Sequence, residues 1–398
     1  MIVLRVWIRR SLAIVVAPVV VVLLTLGAWS RDGWQFESLW ALRAAVLLVP
    51  LVSPVLAAAV AFDVARRWGP LVTVLGPSTA RWRRATLALV AVHVGWTFAA
   101  VCLVWAAAGV RLVLDDAIWQ ADPWLPVEVV SALGAAAAVG LLVATLVKGL
   151  AAPPLAAVLV FGVEALAGPY GLMSLFSPMA LVDSAVGLER DPAAAAWAVA
   201  LNLAVLVCCC VVALRGAVTS RAWVAQVTLG CMVLGGVLLG HGPSSALEFR
   251  PSTQPRACAR AGAVEVCGPG NTQPFLSELA GGLAGATGQL AHSGLPLPHE
   301  FVLGVPGEQA AVTPAASVVH AYPAGLTRKR RTTTLARVLA LPQICPQLLD
   351  AGPDTTPLLD RQAQVSAWIR QALERGGSDP APPGVVAAYR DLETCRVT

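Results

Sequence analysis

A chain of 398 residues that is 57% hydrophobic and only 13% charged, with a mean hydropathy of +0.72, carries more apolar surface than a water-soluble core absorbs, which excludes an ordinary soluble protein. The formal net charge of +5 is not a nucleic-acid footprint, because much of it sits between apolar runs, where basic residues orient helices in a membrane. Of the 28 Lys and Arg, 15 precede residue 242 and 13 follow it, so the first region reads as lipid-solvated and the second as a soluble domain.

A helix needs roughly 20 apolar residues to cross about 30 Å of hydrocarbon. About seven segments meet that test, at 12–29, 41–62, 85–110, 129–147, 154–172, 194–214 and 222–240. The first reads as a retained helix, since Arg9-Arg10 leads into a Val/Leu run with no small-residue cleavage site before Trp29. With the N-terminus inside, eleven basic residues fall in cytoplasmic segments and four, Arg31, Arg43, Arg111 and Arg190, in outer loops. That bias predicts a cytoplasmic N-terminus, and seven crossings then place the C-terminal region outside. Trp29, Trp34, Trp40, Trp119 and Trp124 fall at the outer ends of spans, where indole rings anchor.

The polar residues inside the spans are His93, Glu164, Asn202 and Gln226. A carboxylate at the middle of a span costs several kcal/mol unless it is neutral, paired or facing water, so Glu164 is a candidate functional residue, with helix-to-helix glue as the competing role. Cys102, Cys208, Cys209, Cys210 and Cys231 lie within helices and act as small hydrophobes.

From Gly242 onward the texture turns to Pro, Gly, Ser and Thr with scattered charge, as in a soluble domain on a linker. Its four cysteines, Cys258, Cys267, Cys345 and Cys395, suggest disulfides in an extracytoplasmic compartment, with three possible pairings. Residues 258–267 suit a hairpin turning near Gly262, which favours Cys258–Cys267 and, by elimination, Cys345–Cys395. Four buried thiols are the alternative. Phe275, Leu276, Leu279, Leu283 and Leu290 recur at helical spacing, as do Leu358, Val365, Trp368, Ile369 and Leu373. Residues 301–305 and 316–320 read as short strands, and Arg328-Lys329-Arg330-Arg331 as a solvated loop face. No phosphate-binding loop, dinucleotide fingerprint, zinc-protease helix or paired-cysteine zinc spacing is present. His299-Glu300 is the nearest approach to an acid/base pair, and adjacent residues point apart, so no catalytic, cofactor or metal residues are assigned.

The most specific stretch lies between the second and third spans, at 64–84. It combines Arg66-Arg67, Gly69, a run ending in Leu75, Pro77-Ser78 and Arg81. Pro70 suits the first turn of a short amphipathic helix, and Gly76-Pro77 would stop it. This arrangement resembles the cytoplasmic loop of type-2, export-type permeases of ATP-binding-cassette transporters. Residues 175–181, with Ser177-Pro178, are similar to an outer segment of those permeases. Trp68 stands where the family has an acidic residue beside the Gly. The resemblance implies that Arg66, Arg67, Gly69, Leu75, Pro77, Ser78 and Arg81 form a coupling element for a separate cytoplasmic ATPase, in a homodimer or heterodimer. An added outer domain is similar to the architecture of actinobacterial membrane proteins encoded with transporter genes.

The expected architecture is an all-α polytopic membrane domain over 1–241, followed by a small α+β extracytoplasmic domain over 242–398. The expected function is the membrane subunit of an export-type transporter in a bacterial cell membrane, with membrane lipid and an ATPase as partners and no enzymatic activity of its own. The alternative is a membrane-anchored sensor or accessory protein whose outer domain binds an envelope ligand or partner.

Overall fold

A computed structural model of the chain describes residues 11–29, 34–75, 80–115, 117, 119–120, 122–147, 149–167, 186–216, 249–303, 317–319, 326, 330–340, 356–377 and 379–395. Apolar helices stand at six of the expected spans. They are α1 (Ala13–Trp29), a short α2 (Ser38–Ala44) leading into α3 (Val49–Leu75), α4 (Ala80–Leu114), α5 (Trp124–Leu146), α6 (Ala152–Ala167) and α7 (Pro192–Gly216). Four stretches, Ser38–Arg66, Trp82–Leu114, Trp124–Leu146 and Pro192–Leu214, are long and apolar enough to cross a membrane, while Ala13–Trp29 and Ala152–Leu166 are shorter. The seventh expected span, at 222–240, and Gln226 lie outside the described residues.

These helices are apolar around their whole circumference. The sides of α1 and α4 that face away from the bundle expose Val15, Val22, Leu26, Leu103, Val110 and Leu114, a surface compatible with lipid. α5 is the central helix and packs against α3, α4, α6 and α7. Its Gly134-Ala-Ala-Ala-Ala138 run is buried, and small residues of this kind let helix backbones approach closely. At Gly140 the approach is so close that an added Cβ would overlap the Ala57 carbonyl of α3.

At the end of the bundle where α4 finishes and α5 begins, Trp34, Trp40, Ala44, Leu112 and Ala117 form a separate apolar cluster. Trp29 and Trp34 meet edge to face at 5.2 Å.

The second unit begins at β2 (Phe249–Pro251) and builds a four-stranded sheet in the order β3 (Arg256–Ala261), β4 (Val264–Pro269), β5 (Glu300–Leu303), β6 (Ser317–Val319). β3 and β4 form an antiparallel hairpin, and β4–β5 and β5–β6 are parallel. The turn places Gly262 at φ +57°, a left-handed conformation that glycine adopts without a steric penalty. Cys258 pairs with Cys267 across the hairpin and the two form a disulfide. Cys395 is also disulfide-bonded, and Cys345 lies outside the described residues. Beside the bridge, the Arg260 guanidinium hydrogen-bonds Glu265 and holds its carboxyl below the usual carboxylate range.

α8 (Gln273–Gln289) links β4 to β5 and packs on the sheet, followed by α9 (Arg331–Leu339), α10 (Thr356–Glu374) and α11 (Pro383–Thr394). Phe275, Leu279 and Leu283 of α8, Leu335 and Leu339 of α9, Ile369 of α10 and Tyr389 of α11 share one core with Val266 and Phe301. The solvated-loop reading of the 328–331 run is corrected at Arg331, which opens α9. Leu335, Ala336, Val338 and Leu339 downstream are buried, and that apolar stripe makes the helix.

Candidate functional site

The coupling segment differs from its expected form. α3 runs unbroken from Val49 to Leu75, so 64–75 is the continuation of that helix and not a separate one starting at Pro70. A helix already many turns long needs only propagation through each further residue, and the roughly 3 kcal/mol cost of an interior Pro does not outweigh that whole length. Arg66 is exposed at the end of the apolar stretch, and Arg83 and Arg84 are exposed near the start of α4. Trp82 beside them is buried. The side chains of Arg67, Gly69, Leu75 and Arg81, and all of Pro77 and Ser78, lie outside what is described.

His93 sits close to that end. Its Nδ1 is 3.0 Å from the Leu89 carbonyl and its Nε2 3.3 Å from both Asp63 Oδ2 and Ser11 Oγ. Asp63 Oδ2 also accepts from Ser11 Oγ at 3.1 Å and from the Leu12 amide at 3.0 Å. The carboxylate thus caps the start of α1, where unsatisfied amides and the helix dipole favour negative charge. With partners on every side, His93 ties α1, α3 and α4 together, which is the glue role.

Glu164 and Asn202 come together elsewhere. Both are buried, at 5% and 4% exposure, and both line a cavity of about 290 Å³ between α5, α6 and α7. The rest of its wall is apolar, including Ala132, Ala136, Leu159 and Val163. The hydroxyl of Ser53 on the neighbouring α3 interacts with the Glu164 carboxyl, although neither Glu164 Oε2 nor Ser53 Oγ completes a hydrogen bond of standard geometry. Asn202 lies ten residues into α7, about 15 Å from its start, so the cavity sits in the middle depth of the bundle.

At the opposite end from Arg66 a charge network is buried that single-residue reading missed. Arg43 Nη2 lies 2.7 Å from Asp122 Oδ2 and 3.1 Å from Glu128 Oε2. Arg190 donates to Glu128 Oε1 through Nε at 2.9 Å and Nη2 at 2.6 Å. The Phe249 ring faces both guanidinium groups, at 5.2 and 5.8 Å. Arg43 and Arg190 were expected as loop residues that set topology. Arg43 instead lies on α2 with no exposed side chain, because two carboxylates compensate its desolvation. Beside the network, β1 (Leu188–Arg190) pairs antiparallel with β2.

Cys258, Glu265 and Cys267 bring three ligand-type atoms together, but both thiols are used in the disulfide. Comparison with protein-family models, with curated proteins and with solved structures yields no match to this chain, so its own residues carry the functional argument.

Proposed function

We propose that the protein is the membrane subunit of an export-type ATP-binding-cassette transporter, working as a homodimer or heterodimer with a separate ATPase. The supporting observation is the length of the α3–α4 pair. α3 has 27 residues and α4 has 35, about 40 and 52 Å of helix, against about 30 Å of hydrocarbon. Exposed Arg66, Arg83 and Arg84 stand at the ends of the two apolar stretches, Ser38–Arg66 and Trp82–Leu114, where a cytoplasmic partner can dock. The Arg83→Ala/Arg84→Ala variant is expected to insert normally and to lose at least about tenfold in ATPase co-purification, since each basic contact to an acidic surface contributes about 1 kcal/mol. Full retention of the ATPase by the variant, or a wild type that captures none, defeats the docking claim.

The same reading places the second unit outside the cell. β2 pairs with β1, which directly precedes α7, so the second unit starts at the end of the bundle where α7 begins. The 25 residues of α7 carry the chain about 37 Å away from that end. In this reading the expected span at 222–240 serves as the return crossing to that end. After mild reduction, exposed Cys258 is expected to react with a membrane-impermeant maleimide in intact cells. Labelling only after lysis reverses the orientation.

A sensor or accessory role is the second reading, and the buried network between Phe249 and the helix ends favours it. It replaces the first if the purified protein binds no ATPase.

A further inference from the structure

The cavity between α5, α6 and α7 holds the feature hardest to explain as packing. A buried carboxyl oxygen without a full hydrogen bond costs free energy that a leucine at 164 would not incur. The other intramembrane polar groups lead inward to one another, as His93, Asp63 and Ser11 do. Glu164 has only the Ser53 hydroxyl beside it in incomplete geometry and lines about 290 Å³ of space, near the small end of ligand pockets, which run from about 300 to 1,000 Å³.

The walls define what fits. Leu159 and Val163 stand on the exposed side of α6 at 46% and 42%, so the cavity meets the surface that lipid solvates. Its interior is Ala and Val from α5 and α7, and its polar lining consists of the Glu164 carboxyl and the Asn202 amide. A fatty anion would meet a carboxyl with no cationic lining group to offset the repulsion. A neutral alkyl chain would leave Glu164 Oε2 unsatisfied. An alkylammonium matches both: its tail fills the apolar wall, and its N–H groups donate to Glu164 and to the Asn202 carbonyl. Pairing with a carboxylate is also what allows a cation to leave water for a low-dielectric site.

We propose that this cavity is a binding site for a small lipophilic ammonium ion, entered from the lipid side, with Glu164 as its counter-ion and Asn202 as its second hydrogen-bonding partner. The site concerns the membrane half alone, and it stands or falls independently of whether an ATPase docks at the α3–α4 end.

The test uses the full chain in lipid nanodiscs and three probes with an eight-carbon chain whose head groups carbodiimide does not couple: N,N-dimethyloctylammonium (octylammonium below), octanol and octanesulfonate. A membrane-permeant carbodiimide labels carboxyls sheltered from water, and mass spectrometry follows modification of Glu164. Octylammonium is expected to slow that labelling about tenfold or more relative to octanol and octanesulfonate at equal concentration, the factor a buried ion pair of little more than 1.4 kcal/mol supplies. By calorimetry, Glu164→Gln is expected to weaken octylammonium binding about tenfold or more while eluting as a monodisperse species with wild-type melting behaviour. Asn202→Leu, tested in the same way, is expected to weaken it about threefold to tenfold. Equal protection by octanol, absence of protection by octylammonium, or unchanged binding in a folded Glu164→Gln variant each overturns the proposal. If Glu164→Gln fails to fold, the carbodiimide comparison on the wild type decides alone.

Discussion

Replacing Arg43 with Ala is expected to be the most damaging single change in the bundle, lowering stability by about 3–5 kcal/mol. Arg43 has no exposed side chain and pairs with Asp122 and Glu128. Its removal leaves the Asp122 carboxylate without the guanidinium that compensates its burial, and leaves Glu128 dependent on Arg190 alone. Phe249 loses one of the two cations that face its ring, a contact worth about 0.5–2 kcal/mol. Arg43→Lys keeps the charge but gives up the two-nitrogen contact with Asp122 Oδ2, and it is expected to fall between wild type and Arg43→Ala, since lysine does not replace arginine at a forked, ring-facing site. The temperature at which half the detergent-solubilised protein remains monodisperse checks the ranking. Release of residues 249–395 by limited proteolysis should rise in the same order. Equal stability of Arg43→Ala and wild type would show that the network is not what holds this end together.

Gly140→Val is expected to follow closely, at about 3 kcal/mol or more, because the obstruction is backbone and cannot rotate away. The Cβ it introduces falls on the Ala57 carbonyl, forcing α3 and α5 apart along a contact that also positions α6. Gly95→Ala is the matched control, since nothing lies within 4 Å of a Cβ there. It is expected to be neutral or to gain up to about 1 kcal/mol from helix propensity. The same detergent melting assay reads both, and similar behaviour of the two variants would contradict the close α3–α5 approach.

Much of the fold is legible in the sequence because its signals are local. Apolar runs of bilayer length mark the helices at 12–29, 41–62, 85–110, 129–147, 154–172 and 194–214. Cysteine spacing with Gly262 marks the β3–β4 hairpin, and the helical repeats at Phe275–Leu290 and Leu358–Leu373 mark α8 and α10. The buried network is not legible in this way. Arg43, Asp122, Glu128 and Arg190 are spread over nearly the whole membrane half, and each alone reads as a topology or loop residue. Only the packing of four segments brings them within 3.1 Å or less of a partner. The unbroken α3 was hidden for the opposite reason, since Pro70 reads locally as the first turn of a new helix, whereas the long helix passes through it. Glu164 stood out as a charge in a span, but its proximity to Asn202 depends on how α6 and α7 rotate against α5, which no periodicity specifies.

The short β1–β2 pairing has a mechanical consequence. Three residue pairs join Leu188–Arg190 to Phe249–Pro251, and β1 runs almost directly into α7, the helix that carries Asn202. Such a ladder resists sliding between its strands and permits little rotation, so α7 and the first strand of the second unit share their rigid-body motion. A tilt of α7 at the depth of the cavity is therefore delivered to β2, and residues 252–255 are the connection through which it reaches the sheet that starts at Arg256.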